Sequence, residues 1–524
     1  MGVTSIPRLF MQLLAAAGLI GPDPFRMLIT GQIGSDGGAT SGATYQDVES
    51  MTDAEVKNLF GSNSYLTHQI VKARSICKSR FPIWVIALDP VAGTAASNAI
   101  VYAGTATEDR VMTVEAISKY QYSFNVSVVT GDTGTAIATK VKAGLDALAS
   151  TFPASSVDNL SGTVTLTATD SGTLGNKYTV KHTNVPAGVT VNGNEKEDRS
   201  QFASGATDPT VTGIFDNVSS TRFHVIAWPW QDDFTEVKSF LEGRNVINNA
   251  FLHGVAYIGY SDTEANISSK VNGVTPLNSP NLFFMGNRVV DGARAIIEPD
   301  DWMTVEFAAI EGLRLTDGVP IGQYVATSAP LDTVGGGGTA SLGYYSTPLA
   351  QTSPTPPDLL FDEQEQQNLA DDGYTIIGVD ENAATTIMGE VISTYKFDAQ
   401  GLPNTSFKYL NYIRTGFLAL EIFFKTLKAT YKQFRLTGGV KVAGRAIENQ
   451  DGMKAKYAEI YRLLAGPDYT LTQGGGDAEK YFFSNLTVTL DLATGSVTSS
   501  GDLPIVTQFR EGNVTFQLAF SVGG

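Results

Sequence analysis

The 524-residue chain carries 53 acidic against 36 basic residues, a formal net charge of −17, with 42% hydrophobic and 10% aromatic residues. This length suffices for two or three domains around a substantial core, and the charge argues against nucleic acid as the main partner, because phosphate backbones need a dense basic surface. Cys77 is the single cysteine, so an intramolecular disulfide and a cysteine metal site are both excluded, which fits a reducing compartment.

No segment approaches the ~20 apolar residues of a membrane span, so no membrane insertion is expected. Leu9–Ile20 is apolar, but only Arg8 precedes it and Gly21-Pro22-Asp23-Pro24 follows where a small-residue cleavage site would stand. It reads as a docking arm or short helix rather than a cleaved signal. Phe25–Thr30 reads as a buried strand and Gln32–Thr44 as a Gly-rich loop. Thr52–Phe60 and Asn63–Lys78 look helical, and Phe81–Leu88 is a second apolar strand. That order suggests an α/β unit with a largely buried sheet.

From about Ala95 to Asp208 the chain turns rich in Thr, Ser, Gly and Val. Alternation predicts strands at Arg110–Ile117, Ser123–Val129, Thr163–Thr169 and Tyr178–His182. One helix carries Ile137, Val141, Leu145, Leu148 and Phe152 on a single face. This is a β-rich domain with one helix, inserted at 95–209, whose ends should lie close together. The first composition returns near Ile214, with strands at Phe223–Ala227, Gly254–Ile258 and Asn281–Met285. Helices are predicted at Phe234–Asn248 and Asp300–Leu313. Gly318–Pro357 is loop-rich, and Phe361–Asn368 begins an acidic helix.

Tyr374–Val379 and Ile387–Phe397 read as two strands joined by a turn at Asp380-Glu381-Asn382. Asp398–Pro403 stops the second strand, and Asn404, Thr405 or Ser406 is placed to cap a helix. Phe407, Leu410, Ile413, Phe417, Leu420, Phe424, Leu427, Tyr431 and Phe434 then recur at steps of three and four. They predict one apolar face sustained for about 40 Å. Gly438-Gly439 ends it. Asp451–Ala465 is a second helix, Tyr481–Leu492 a strand, and Ser499–Asp502 a flexible stretch. Val514, Phe516, Leu518, Phe520 and Val522 alternate strictly with smaller or polar residues, as a half-buried strand does. The expected architecture is an α/β (α+β) core sheet with long helices, formed by 25–94 and 210–498, the inserted β-rich domain, and extended arms at 1–24 and 499–524.

Chemical motifs are scarce. His68, His182, His224 and His253 show no metal-ligand spacing and read as structural. Gly31, Gly34, Gly37 and Gly38 follow a strand, yet the loop lacks a Walker Lys-Ser/Thr pair and Asp36 would repel phosphate. Asp300-Asp301 and Asp371-Asp372 read as solvated caps or turns. No catalytic residue, metal site or cofactor site is assigned, which disfavours an enzyme. Two basic features remain: Lys425, Lys428, Lys432, Arg435, Lys441 and Arg445 run without an intervening acid, and Lys454, Lys456 and Arg462 surround a short apolar set.

Taken in order, Phe361–Ala370, Asp372-Gly373 opening a strand, Ile392–Tyr395 (ISTY), the turn Asp398–Ser406 (DAQGLPNTS) and the long helix resemble contractile-tail sheath proteins, with the Mu-like phage tail sheaths as the nearest group. Phe25–Gly34 resembles the opening strand and glycine turn of that family, and Ala103–Val141 its β-rich insertion. Met453–Leu464 and Val514–Val522 resemble its tube-facing helix and C-terminal arm. The resemblance spans nearly the whole chain. It implies a structural subunit that polymerises helically, in stacked hexameric rings, around an inner tube and contracts to drive the tube through a cell envelope. Implied partners are other copies, a tail tube protein, and baseplate and tail terminator proteins, with no cofactor. The implied location is a virion tail, assembled in the host cytoplasm. Lys454, Lys456 and Arg462 would face the tube, within a tube-proximal region of 360–498. Val514–Val522 would add to a neighbour's sheet. Rival readings are the sheath of a related non-phage injector, a surface-array protein, and an enzyme on a Rossmann-like sheet that would hold a ligand at Gly31–Gly38.

Overall fold

The computed structural model describes residues 24–117, 122–148, 151–158, 160–244, 252–273, 277–316, 347–350, 352, 357–380, 384–431, 434–440, 446–465, 476–493 and 496–504. The leader Leu9–Ile20 and the alternating segment Val514–Val522 lie outside the described residues, as do Lys432, Lys441 and Arg445.

In chain order, β1 (Met27–Gln32) is followed by β2 (Thr44–Tyr45) and β3 (Ile83–Leu88), with helices Asp53–Phe60 and Tyr65–Cys77 between the last two. The first helix starts on a reciprocal cap: Thr52 accepts from the Glu55 amide while the Glu55 carboxylate accepts from the Thr52 amide, satisfying two otherwise orphaned donors. Residues 95–201 then supply β4 (Ala95–Gly104), β5 (Arg110–Ala116), β6 (Ser123–Val128), helix Gly134–Asp146, β7 (Ala154–Asp158), β8 (Thr163–Ser171), β9 (Thr179–Thr183), β10 (Val189–Val191) and β11 (Asp198–Gln201). Thr94 and Ala206 exchange both backbone hydrogen bonds, at 3.1 and 3.0 Å, so the segment leaves and returns at one point. Next come β12 (Val225–Trp228), helix Thr235–Glu242, β13 (Val255–Gly259), helix Glu264–Asn272, β14 (Leu282–Gly286), the short hairpin β15 (Val289–Val290) and β16 (Ala293–Arg294), and helix Asp300–Thr316. Helix Glu363–Asp371 precedes β17 (Tyr374–Val379) and β18 (Thr385–Met388). After helix Leu410–Tyr431 and the short pair β19 (Arg435–Leu436) and β20 (Ile447–Glu448) come helices Gln450–Ala465 and Gly476–Asn485, then β21 (Thr487–Asp491) and β22 (Ser496–Ser500).

The core is an eight-stranded sheet in the order β18-β17-β14-β13-β12-β1-β3-β2. From β17 to β3 the pairings are parallel, and both faces are covered, which is why these strands are unbroken apolar runs. On one face Leu28, Ile226, Ile258 and Phe284 pack with Val237, Leu241, Ile267, Val271 and Leu369 of three helices. On the other, Ile29, Ala227, Tyr257 and Met285 pack with Leu66, Ile70, Phe307 and Ile310. The two further four-stranded sheets, β10-β4-β8-β7 and β11-β9-β5-β6, belong wholly to 95–201 and enclose Tyr102, Met112, Val126 and Leu166.

Several sequence expectations need correction. Ile387–Phe397 is not one strand: pairing stops at Met388, and Ile392 and Phe397 make only isolated bridges to Tyr409 and Pro403. The helix starts at Leu410, not at Asn404–Ser406, whose turn is internal, with Asn404 Oδ1 accepting from the Ser406 amide at 2.8 Å. Tyr481–Asn485 is helical, not strand. Helix Thr235–Glu242 is shorter at both described ends than Phe234–Asn248. Ser499 and Ser500 pair with Val488 and Thr487 in β22, so the flexible stretch is an ordered strand end. Gly373, by contrast, is where a glycine belongs. It turns the chain into β17 at φ +81, and a Cβ there would sit 2.7 Å from the Ser393 carbonyl, so no L-residue fits cheaply.

Candidate functional site

Parallel α/β sheets bind ligands outside the carboxyl ends of their strands, where neighbouring strands depart in opposite directions. Here that point is β1, with β3 on one side and β12 on the other. The Gly31–Gly38 loop emerges from it, but the amides of Gly34, Gly37 and Gly38 are already engaged. Gly34 N–H donates to the Phe60 carbonyl at 2.9 Å and Gly38 N–H to Asn58 at 3.1 Å. Asp36 accepts from the Ser62 amide at 3.1 Å and from its hydroxyl. A Cβ on Gly37 would meet the Phe60–Gly61 backbone at 2.9 Å. The glycines allow a loop to press onto a helix end, and the geometry offers no phosphate cradle.

The crevice beside the loop is filled from within the chain. Lys177, on the 95–201 segment, reaches over the carboxyl edge, donating to the Pro229 carbonyl at 2.7 Å and pairing with Asp301. Asp301 also accepts from Tyr65 Oη at 2.9 Å and the Gly259 amide at 3.1 Å. Its neighbour Asp300 pairs with Arg294, takes the Ser261 hydroxyl and, at 3.3 Å, the Asn287 amide group. Both residues are 1% exposed. Burial pushes both acids up from the usual carboxylate range, opposed in Asp300 by Arg294 and in Asp301 by Lys177. The expectation of a solvated Asp300-Asp301 cap is therefore wrong, for a reason the pair alone conceals: the helix it opens is buried from Asp300 to Arg314, so its acids need partners from elsewhere.

The same seam contains Asp170, whose Oδ2 accepts the Tyr65 amide at 2.8 Å and whose carboxyl burial pushes up to about 7. Tyr65 and Tyr178 stack at 5.9 Å between centroids, and Trp302 lies tilted against both at 5.7 and 6.3 Å. Tyr122 Oη lies 3.2 Å from the His68 ring nitrogens and donates to the Thr151 carbonyl at 2.9 Å. All four histidines are buried. Burial lowers His68 and His182 to about 3, which leaves them neutral near pH 7.

A second charged layer lies at the amino edge, under the Leu410–Tyr431 helix. Arg222 pairs with Glu421 at 2.6 Å and donates to His253 Nε2 at 2.7 Å. Arg414 pairs with Glu311 at 2.8 Å, and Tyr257 Oη donates to the same carboxylate at 2.6 Å. This helix spans two cores: Leu410 and Ile413 pack under the sheet, while Ala419, Ile422 and Phe423 join Met453, Ile460, Tyr461, Leu464 and Phe482 in a separate cluster. The apolar face expected from sequence drifts accordingly. Phe407 and Leu420 are 41% and 37% exposed.

Of the residues singled out in sequence, Lys454, Lys456 and Arg462 sit on Gln450–Ala465. At 100° per residue Lys454 and Arg462 are about 80° apart and Lys456 lies across the helix, so the three do not form one stripe. Lys456 pairs with Glu459 at 2.7 Å and Arg462 with Glu479 at 2.6 Å. The buried Lys177, Arg294, Arg222 and Arg414 were missed. The available signal was the spacing of Asp300, Asp301, Glu306 and Glu311 along an otherwise apolar helix.

No protein-family model matches this chain, and no curated protein matches it. Among solved structures it is similar to the sheath tail protein Lin1278 from Listeria innocua, with 10% identity, a TM-score of 0.45 and 97% of each chain covered. It is similar also to the contracted helical sheath of the anti-feeding prophage, with 11% identity, a TM-score of 0.42, and 95% of this chain and 94% of that one covered. A third likeness is to the baseplate of the same particle, with 12% identity, a TM-score of 0.35 and coverage of 61% and 76%.

Proposed function

We propose that this chain is the structural subunit of a contractile-tail sheath, polymerising helically around an inner tube. The observation that carries the reading is the order of elements in the last third: an acidic helix, the Asp372-Gly373 turn into β17, the β17–β18 hairpin, the DAQGLPNTS turn, and a long helix leading to a separate cluster. The filled carboxyl crevice agrees with it, since a polymer subunit needs no ligand there. Residues 25–94 and 210–498 act as one core and 95–209 as its insertion. The arms at 1–24 and beyond β22 link neighbours, with Val514, Phe516, Leu518, Phe520 and Val522 adding to an adjacent sheet by backbone pairing. A head-to-tail link whose rotation does not close produces a helix. Of Lys454, Lys456 and Arg462, the tube-facing side is that of Lys454 and Arg462, repeated around the assembly, with Lys456 across the helix from it. The tube protein, baseplate and terminator complete the partners, in a virion tail. No bond is made or broken, so the role is not enzymatic.

Negative-stain microscopy of the purified protein is expected to show tubes. A chain ended at Glu511 is expected to stay folded and soluble and to form none. Normal tubes from the shortened chain, or no tubes from the full one, would sink the reading.

A further inference from the structure

The 95–201 segment carries two outward sheet faces that hold little or no charge, on a chain of net charge −17. On the sheet β10-β4-β8-β7, buried inward positions alternate with exposed or half-exposed outward ones along Ala95–Ala103 of β4 and throughout β8. Ala99, Thr165 and Val157 lie side by side across three strands, with Val101 beside Thr163 and Thr167 beside Ser155. No outward position on these four strands carries a charged side chain. Val101 and Val157 are 43% and 54% exposed. The opposite side of the segment presents the distal half of β9-β5-β6. There Val111 lies beside Ser127 and Thr113 beside both Asn125 and Thr183, with Thr113 donating to Asn125 Oδ1 at 3.0 Å. Lys181, Glu197 and Arg199 pair with one another at its proximal border.

Two copies of a strongly acidic chain repel wherever charge meets charge, and these faces are where they can approach without that cost. β-branched Thr and Val also have little rotamer freedom to lose on contact. We infer that the β4–β8–β7 face of one copy docks on the β5–β6 face of the next. The inference rests on the polymer reading above, because a contact between unlike faces on opposite sides of one segment is head-to-tail and propagates. The smaller face, three strands at ~4.8 Å spacing and about four residues, gives on the order of 200 Å² per side. That is about a quarter of what a stable pair of proteins buries per partner. The contact therefore does not dimerise free subunits, and it adds strength only once other links have brought copies together.

The test uses two full-length variants, Thr165→Cys and Thr113→Cys, one carrying a size tag, mixed and treated with copper phenanthroline. Cys77 is buried and does not interfere. In tubes, the mixture is expected to give the mixed disulfide dimer at least ten-fold above either variant alone. Adding Val101→Glu and Thr163→Glu, outward changes that leave the melting curve unaltered, should remove it. Tubes without mixed dimer overturn the inference and leave the sheath reading standing. A Thr165→Cys homodimer in its place means the faces meet symmetrically, which also overturns it. If no tubes form, the sheath reading falls, and the inference that rests on it falls with it.

Discussion

Withdrawing Lys177 and Asp301 from water costs several kcal/mol per ion, and their attraction offsets this only while both are present and fully hydrogen-bonded. Lys177→Met should therefore cost about 3–5 kcal/mol, because Asp301 stays buried without its cation. Lys177→Met with Asp301→Leu should recover most of that. Urea midpoints of the two variants decide it, and a single variant within ~1 kcal/mol of the parent would mean the pair holds nothing together. Asp170 gives a signed pH dependence. Its folded pKa of about 7 lies above the usual carboxylate value of 3.8, so the folded chain keeps a proton that the unfolded chain releases. The contribution is complete below about pH 4 and is lost as pH rises through about 7. Asp170→Asn, whose carbonyl can still accept from Tyr65, lacks that loss. It should gain on the order of 2 kcal/mol over the parent between pH 5 and 7. His68 and His182 act with the opposite sign: folded values near 3 mean stability is lost as pH falls from about 6.5 toward 3. An Asp170→Asn difference that stays flat from pH 5 to 7 would place that carboxyl in water.

At the scale of elements, the Leu410–Tyr431 helix shows why a long apolar pattern does not identify one buried face. Its first turns lie under the sheet and its later turns in the carboxy-terminal cluster. The buried side therefore rotates, taking in Arg414 and Glu421 and leaving Leu420 at the surface. Ile422→Glu should cost several kcal/mol, since an unpaired charge would enter a fully buried site. Leu420→Glu, one of the residues on the face predicted from sequence, should stay within about 0.5–1 kcal/mol. Thermal melts of the two variants rank them. Equal losses would restore the single apolar face.

For the whole molecule, the 95–201 segment is both an appendage and a plug. Its ends meet at Thr94 and Ala206, so replacing 95–205 with a short Gly/Ser linker strains nothing at the junction. The replacement nevertheless removes Lys177 and Asp170 and uncovers Asp301, Tyr65 and Trp302. The shortened chain should lose part of its near-ultraviolet circular dichroism, because Tyr65 and Trp302 pass into solvent, while the uncovered Asp301 carboxylate is hydrated and tolerates the loss of Lys177. A native spectrum from the shortened chain would show that the core does not need the plug.

The sequence by itself determined the α/β core with its buried sheet, the β-rich character of 95–209 and the hairpin leading to a long helix. Those follow from local pattern: unbroken apolar runs for strands covered on both faces, alternation for half-covered ones, and a 3.6-residue period for helices. It could not end Ile387–Met388 where the strand ends, because Gly389 and the residues after it keep a strand-like composition while their pairing partners lie elsewhere. Tertiary structure alone decided which charges are buried. Asp300-Asp301 resembles any acidic helix start until Lys177 arrives from a strand-rich segment more than a hundred residues earlier. Arg222 and Glu421 are likewise 199 residues apart. Desolvation acts on a group through everything packed around it, and charges this far apart in the chain meet only after the sheet has formed.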